Sequence, residues 1–294
     1  MSTADLTPAR EAAERSEART ARSERFRLLL RSPRVGVGLA IIGFWVLCAI
    51  LPGQIAPHDP IFDNQFTPSV SPTWAHPFGT DTNGRDIFSR VLAGSRSILV
   101  IAPAATLLGV VLGSIFGLIT GYMRGVVDDV FSRFIDAVLA LPLIISALLI
   151  TTAVGTSGPW VVVLVIGLIF APVVSRTVRA AVLGEAELDY VQAARLRGEK
   201  AHYIMGSELL PNVMPVIIVE ATVRLGYAIF TVASLTFIGF GVTAPSPDWA
   251  AQITQYYPYV DPYWWMTLFP ALAIASLIIA LNFVADGVRE VYER

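Results

Sequence analysis

The chain is poor in charge. Asp, Glu, Lys and Arg make up 15% of its 294 residues, against about 25% in a soluble domain. With 54% hydrophobic residues and a mean hydropathy of +0.63, that shortage places it among integral membrane proteins. Cys48 is the only cysteine, which excludes an intramolecular disulfide and any CxxC metal site. It lies in an apolar run and reads as a small core or lipid-facing residue. Lys200 is the only lysine, and it follows Glu199, so no GxxxxGK[ST] loop exists and the chain has no Walker-type phosphate site. A nucleotide-driven process would need another subunit to bind the nucleotide. HExxH and GxSxG are absent, as are intramembrane histidines and paired aspartates, so the chain reads as a non-enzyme.

What is present is a series of apolar runs. Residues 1–25 are rich in Arg, Ala and Glu with few large apolar residues, and read as a disordered cytoplasmic tail. Residues 26–96 comprise a basic amphipathic segment, a first span over 35–51 and a loop rich in Pro, Asp and aromatics. A cleaved signal peptide is disfavoured, because no A-x-A site follows and the preceding arm is long and mixed in charge. Residues 97–290 form a core with five further spans. The first, 97–121, carries Gly109, Gly113, Gly117 and Gly121 on one face, where a neighbouring helix can approach closely. The charge-free run 137–175 is too long for one span. Gly155-Thr156-Ser157-Gly158-Pro159 divides it into spans near 134–154 and 159–178. Two more follow at 213–241 and 263–285.

Six spans put both termini on one side. The segments on that side hold 17 of the 21 Lys and Arg residues, while the opposite loops hold Arg85, Arg90 and Arg96. By the positive-inside rule the termini and the polar stretch after the fourth span are cytoplasmic. That stretch, from Tyr190 to Asn212, reads YVQAARLRGEKAHYIMGSELLPN and suits a water-facing helix–turn–helix. Ala193 and Ala194 give a smooth helix face. Gly198 permits a left-handed turn, and Pro211 ends or redirects the second helix. Arg195, Arg197, Glu199 and Lys200 keep the element wet.

These residues carry a resemblance. Gln192-Ala193-Ala194, Gly198 and Leu210-Pro211 fall in the frame of EAA---G---------I-LP, the cytoplasmic motif of binding-protein-dependent ABC importer permeases. The departures are Gln192 for Glu and Glu208 where the motif is apolar. HPFGTDTNGRDIFSRVLAGSRSIL, from His76 to Leu99, resembles the signature of the dipeptide, oligopeptide and nickel subgroup. SLTFIGFGVTAPSPDWAAQI, from Ser234 to Ile253, resembles the same subgroup. The resemblance implies an all-α membrane domain of type I ABC importer fold with a coupling loop at 189–211. It implies a homologous second permease subunit, two cytoplasmic ATPases that bind ATP and Mg, and an extracytoplasmic solute-binding protein. The chain itself would bind no cofactor. Cargo would be a dipeptide, an oligopeptide or a similar small solute, crossing by alternating access. The alternative is a secondary transporter driven by an ion gradient.

In the external motif, Gly79, Thr80, Asp81, Gly84, Arg85 and Asp86 stand together. Gly79 and Gly84 allow turns, and Asp81 or Asn83 suits the cap of a helix beginning near Asp86. DTNGRD is similar to part of a calcium loop, but Arg85 stands where an oxygen ligand is required, so no metal is expected. His58 and His76 have no evident partner set and read as surface or interfacial residues. Trp249, Tyr256, Tyr257, Tyr259, Tyr263, Trp264 and Trp265 fit an interfacial aromatic belt. Glu220 and Arg224, at i,i+4 inside a span, are expected to neutralise each other, or to line the translocation path or a subunit interface. Arg133 and Asp136 read as a membrane-edge pair.

Overall fold

The computed structural model describes residues 32–62, 64–155 and 158–293. The tail 1–25 and most of the amphipathic segment expected to follow it lie outside these. Among the described residues the architecture is helical, with one isolated bridge between Thr80 and Asp86. The helices are α1 (Pro33–Ile50), α2 (Pro52–Ile55), α3 (Ile87–Met123), α4 (Val126–Leu139), α5 (Leu143–Val154), α6 (Pro159–Glu185) and α7 (Asp189–Leu196). They continue with α8 (Ala201–Phe237), α9 (Trp249–Tyr256) and α10 (Trp265–Glu293). Five of them (α1, α3, α6, α8 and α10) are long and apolar enough to cross a membrane, and the pair α4–α5 makes a sixth span if counted as one.

The centre of the molecule is the pairing of α3 with α6. A Cβ added at Gly109, Gly113, Gly117 or Gly121 would lie 2.5–2.8 Å from the Cβ of Phe170, Val174, Val178 or Val182 respectively. Each partner is also four residues from the last, so two period-four stripes interlock and the backbones approach as only glycine permits. Elsewhere α1 lies on α10. Gly38 abuts the carbonyl of Ala280 at 2.6 Å from an added Cβ, and the Trp45 indole donates to Ser276 Oγ at 3.0 Å. Cys48 is buried in this core.

Two elements depart from the sequence reading. The third span is not one helix over 134–154: the axes of α4 and α5 meet at 95° across Ala140–Pro142. Pro142 has no N–H to continue the ladder, and its ring disfavours the helical conformation for the residue before it. It then serves as the N-cap residue of α5, its carbonyl accepting from Ser146 N at 3.0 Å. The bend leaves an apolar groove of about 580 Å³, with Phe116, Phe131, Phe134, Leu149, Leu168 and Pro172 among its lining residues. At the far end of α5, Gly155 takes φ +69 as a left-handed C-cap. Thr156 and Ser157, in the expected hairpin break, lie outside the described residues.

The second departure is at Pro211, which neither ends nor redirects a helix. It sits inside α8, where Ile204–Leu209 is wound as a π-helix. The N–H of Leu210 bonds to the carbonyl of Met205, five residues back. The wider turn accommodates a residue that has no N–H and whose ring crowds the carbonyl four positions earlier. The fifth span is therefore continuous with the second helix of the polar stretch.

Candidate functional site

The polar stretch is rooted at one face and open at the other. Val191 and Ala194 of α7 are fully buried, in one apolar cluster with Val178, Val182, Ala186, Ile204, Leu209 and Val213. Ala194 therefore faces inward, against the expectation that both alanines offer a smooth outer face. Ala193 is exposed with Arg195 and Arg197, and Leu196 is 90% exposed. That bare leucine was not singled out in the sequence; only the inward turn of Ala194 makes it conspicuous. Glu199 N donates to Ala194 O at 3.2 Å and Gly198 N to Arg195 O at 3.0 Å, the double bond of a Schellman C-cap. Gly198 takes φ +75 there, and a Cβ would meet nothing within 4 Å. Its constraint is thus backbone conformation and not space.

Polar bonds hold the base. Gln192 Nε2 donates to Ala186 O at 3.1 Å, so it is spent within the chain. The Tyr190 hydroxyl donates to Glu185 Oε2 at 2.8 Å and accepts from Asn212 Nδ2 at 3.1 Å. Burial, and then the Glu185 carboxylate, push that phenol up to about 12, so it stays a neutral donor. Arg197 pairs with Glu199 at 2.7 Å and lies 3.9 Å from Glu208. Arg195 stacks over the Tyr122 ring, 4.9 Å from its centroid. Lys200 is exposed at the start of α8, while Leu210 is partly buried against the same apolar cluster and Pro211 is exposed.

The Gly79–Asp86 motif is a buried clasp. Asp81 is fully buried. Its Oδ1 accepts from Asn83 N at 2.8 Å and Arg85 N at 2.9 Å, and its Oδ2 from the Tyr256 hydroxyl at 2.5 Å. Arg90 Nε and Arg85 Nε stand 3.8 and 4.0 Å from Oδ2. Arg90, itself fully buried, reaches the carbonyls of Pro60 at 2.6 Å and Ser246 at 3.2 Å. Thr80 Oγ1 donates to Thr67 O at 2.7 Å and accepts from Val70 N at 2.9 Å. Gly84 takes φ +69, and an added Cβ would lie 2.2 Å from Phe66 O; Gly79 takes φ +76, with Val70 O at 2.6 Å. The helix cap is Asp86 itself, accepting from Ser89 N at 2.9 Å, not Asp81 or Asn83.

Three aromatics assigned to a belt belong instead to this clasp. Trp249 and Tyr256 are fully buried and Trp265 nearly so. Trp249 Nε1 donates to Val91 O at 2.7 Å and Trp265 Nε1 to Thr80 O at 3.2 Å. Tyr257, Tyr259 and Trp264 are exposed. Asp248 caps α9, accepting from Ala251 N at 3.0 Å, and burial raises its carboxyl above the usual range. The structure also brings His58 and His76 onto Asp86, which nothing in their sequence spacing indicated.

Within the spans, Arg224 Nε bonds to Glu220 Oε1 at 2.6 Å, both side chains largely buried, with the guanidinium near the rings of Tyr227 and Phe170. Asp136 pairs with Arg176 rather than Arg133. Asp128 holds Arg179 through two bonds of 2.5 Å, joining the start of α4 to the end of α6.

The fold and these sites define a polytopic α-helical membrane protein with a rooted polar segment between two spans. Residues 109–294 match the family described as "Binding-protein-dependent transport system inner membrane component", and the chain belongs to that family. It is 33% identical over 261 residues to the "Di/tripeptide transport system permease protein DppC" of Pseudomonas aeruginosa, covering 86% of this chain and 85% of that one. It is 33% identical over 267 residues to the "Dipeptide transport system permease protein DppC" of Alkalihalophilus pseudofirmus, covering 91% and 88%. A "Probable D,D-dipeptide transport system permease protein DdpC" of Escherichia coli is 32% identical over 90% of this chain and 89% of its own. Among solved structures, the inward-facing MetNI methionine ABC transporter matches with TM-score 0.57 and 21% identity, over 69% of this chain and 96% of that chain. That likeness is one of fold, the type I ABC importer membrane domain. The chain is therefore a permease component of an ABC import system in the inner membrane, and the reading as an ion-gradient carrier falls away.

Proposed function

We propose that this chain is one of two homologous permease subunits of a peptide importer, with dipeptides or short oligopeptides as cargo. Two cytoplasmic ATPases bind ATP and Mg and supply the energy. A solute-binding protein delivers cargo from outside. Both termini and the 189–211 loop are cytoplasmic, in keeping with the arginine and lysine distribution. The peptide reading follows from the names of the relatives, which cover the chain nearly end to end.

The observation that carries the mechanism is the two-sidedness of α7: Val191 and Ala194 are sunk into the chain's own core while Leu196 stands bare. A short helix anchored by its inner face and ending in an exposed leucine suits a groove on a soluble partner. ATP binding closes the ATPase pair and α7 moves with the groove. The spans then rock outward as near-rigid bodies, and hydrolysis resets them.

Gly198 provides the test. In the chain alone a Cβ there meets nothing within 4 Å, so Gly198→Trp costs mainly the left-handed strain of about 1–2 kcal/mol, and the variant inserts. Against a docked partner the indole obstructs, and ATP-driven uptake in reconstituted vesicles is lost. Gly198→Asn, which tolerates the same backbone, retains uptake. Unchanged uptake by the Trp variant would refute the docking role.

A further inference from the structure

We propose that His58, His76 and Asp86 form a zinc site that pins the loop between α1 and α3 to the start of α3. Among the described residues, they are the group of His, Cys, Asp and Glu side chains able to offer three ligand atoms within 4.8 Å of one another. His76 Nδ1 lies 3.2 Å from Asp86 Oδ1, and His58 Nδ1 lies 3.4 Å from Asp86 Oδ2. Ligands about 2.0–2.1 Å from a tetrahedral ion are separated by about 3.3–3.4 Å, the edge of the tetrahedron. Each nitrogen–oxygen spacing is close to that edge, with one imidazole on each of the two Asp86 oxygens.

The His58 nitrogen is the decisive atom. It is buried and makes no hydrogen bond, although a carboxylate oxygen is 3.4 Å away. His76 Nδ1, by contrast, is within hydrogen-bond reach of Asp86 Oδ1 at 3.2 Å, a contact it would exchange for the ion. The ligands are also held in place before any ion arrives. Ser89 donates its hydroxyl to Asp86 Oδ2 at 2.6 Å and accepts the His58 backbone N–H at 3.1 Å, linking carboxylate and histidine through one side chain. Phe66 contacts both imidazoles, with ring centroids at 4.7 and 4.4 Å. Such supporting contacts are what fix ligand orientation at metal centres.

The donor set selects the ion. Two imidazoles and one carboxylate suit zinc, whereas calcium and magnesium require a shell of oxygens. Three protein ligands leave the fourth position to water. The N-terminus of α3 repels a cation, and the Asp86 charge offsets that repulsion. An occupied site would cross-link the segment after α2, the turn at His76 and the long helix α3, stiffening the external loop by binding only the folded form.

The test uses the full chain without a histidine tag, purified in detergent, stripped with chelator and dialysed against buffered zinc. One zinc per chain by elemental analysis is expected, with a rise in melting temperature that EDTA reverses. His58→Gln and His76→Gln each weaken binding by more than the roughly 10–100-fold that loss of a supporting partner costs and abolish the zinc-dependent rise, while His202→Gln leaves both unchanged. Cobalt(II) in the wild-type chain, a readout needing no variant, gives the strong visible absorption of a tetrahedral centre. Substoichiometric zinc in the wild type, a cobalt spectrum like that of the hydrated ion, or full zinc retention in both His variants would overturn the site and leave a metal-free histidine–carboxylate cluster.

Discussion

Asp81 shows how much one carboxylate can hold. It gathers two backbone N–H groups, a tyrosine hydroxyl and two arginines in a place water does not reach. Removing it takes one counter-charge away from two buried guanidinium groups, a change that costs about 3–5 kcal/mol. Tyr256→Phe deletes one bond to the same oxygen and costs about 1–3 kcal/mol. Heat unfolding in detergent checks the order: Asp81→Ala melts well below Tyr256→Phe, and both melt below wild type. Equal melting of all three would mean the clasp does not stabilise the fold. The Thr80–Asp86 motif was visible as a string of residue types, but its role was not. A buried aspartate and an exposed one look alike in sequence, and the partners Tyr256 and Arg90 lie 175 and 9 positions from Asp81. The aromatic belt reading failed for Trp249, Tyr256 and Trp265 for the same reason: the first two spend their polar tips on α3 and Asp81, not on headgroups.

At the scale of elements, the glycine stripe was legible because close approach of two helices leaves a mark in composition. Gly109 to Gly121 face Phe170 to Val182, four residues for four. The right angle between α4 and α5 was not legible, because prolines are poor markers of breaks in spans. Pro103, Pro172, Pro215 and Pro270 all sit inside helices, where neighbouring groups re-satisfy the freed carbonyls. Pro142 differs only in what surrounds it. The stripe yields a sharp expectation. An added Cβ at Gly113 would lie 2.5 Å from Val174 Cβ and 2.7 Å from the Ala171 carbonyl. Neither neighbour can yield without moving backbone, so Gly113→Leu costs about 1–3 kcal/mol or more. Gly36→Leu, on a face with nothing within 4 Å, costs far less. Yield and melting temperature of the two variants in detergent measure the difference, and equal behaviour would contradict the helix pairing.

Across the whole molecule, α8 links the polar segment around Gly198 to the membrane interior. It runs unbroken over 37 residues, about 55 Å at 1.5 Å per residue. It begins beside Gly198 and passes Glu220–Arg224 more than halfway along. Its π-turn at Ile204–Leu209 lets Pro211 sit within a continuous rod, where a helix stop was expected, and a continuous rod transmits a tilt. We therefore expect the Glu220–Arg224 pair to move when α7 is pulled, and a pair that moves beside cargo or beside a second permease can affect transport. Arg224→Gln lowers uptake by about tenfold or more while chain abundance holds, since one missing charge-assisted bond is worth roughly 1.5–3 kcal/mol. If abundance falls with uptake, the double substitution Glu220→Gln with Arg224→Gln separates the causes. It removes both charges and relieves the stranded carboxylate, so a purely structural pair recovers both abundance and uptake. Recovery of abundance without uptake assigns the pair to the transport cycle, and full recovery of both confines it to holding α8 together.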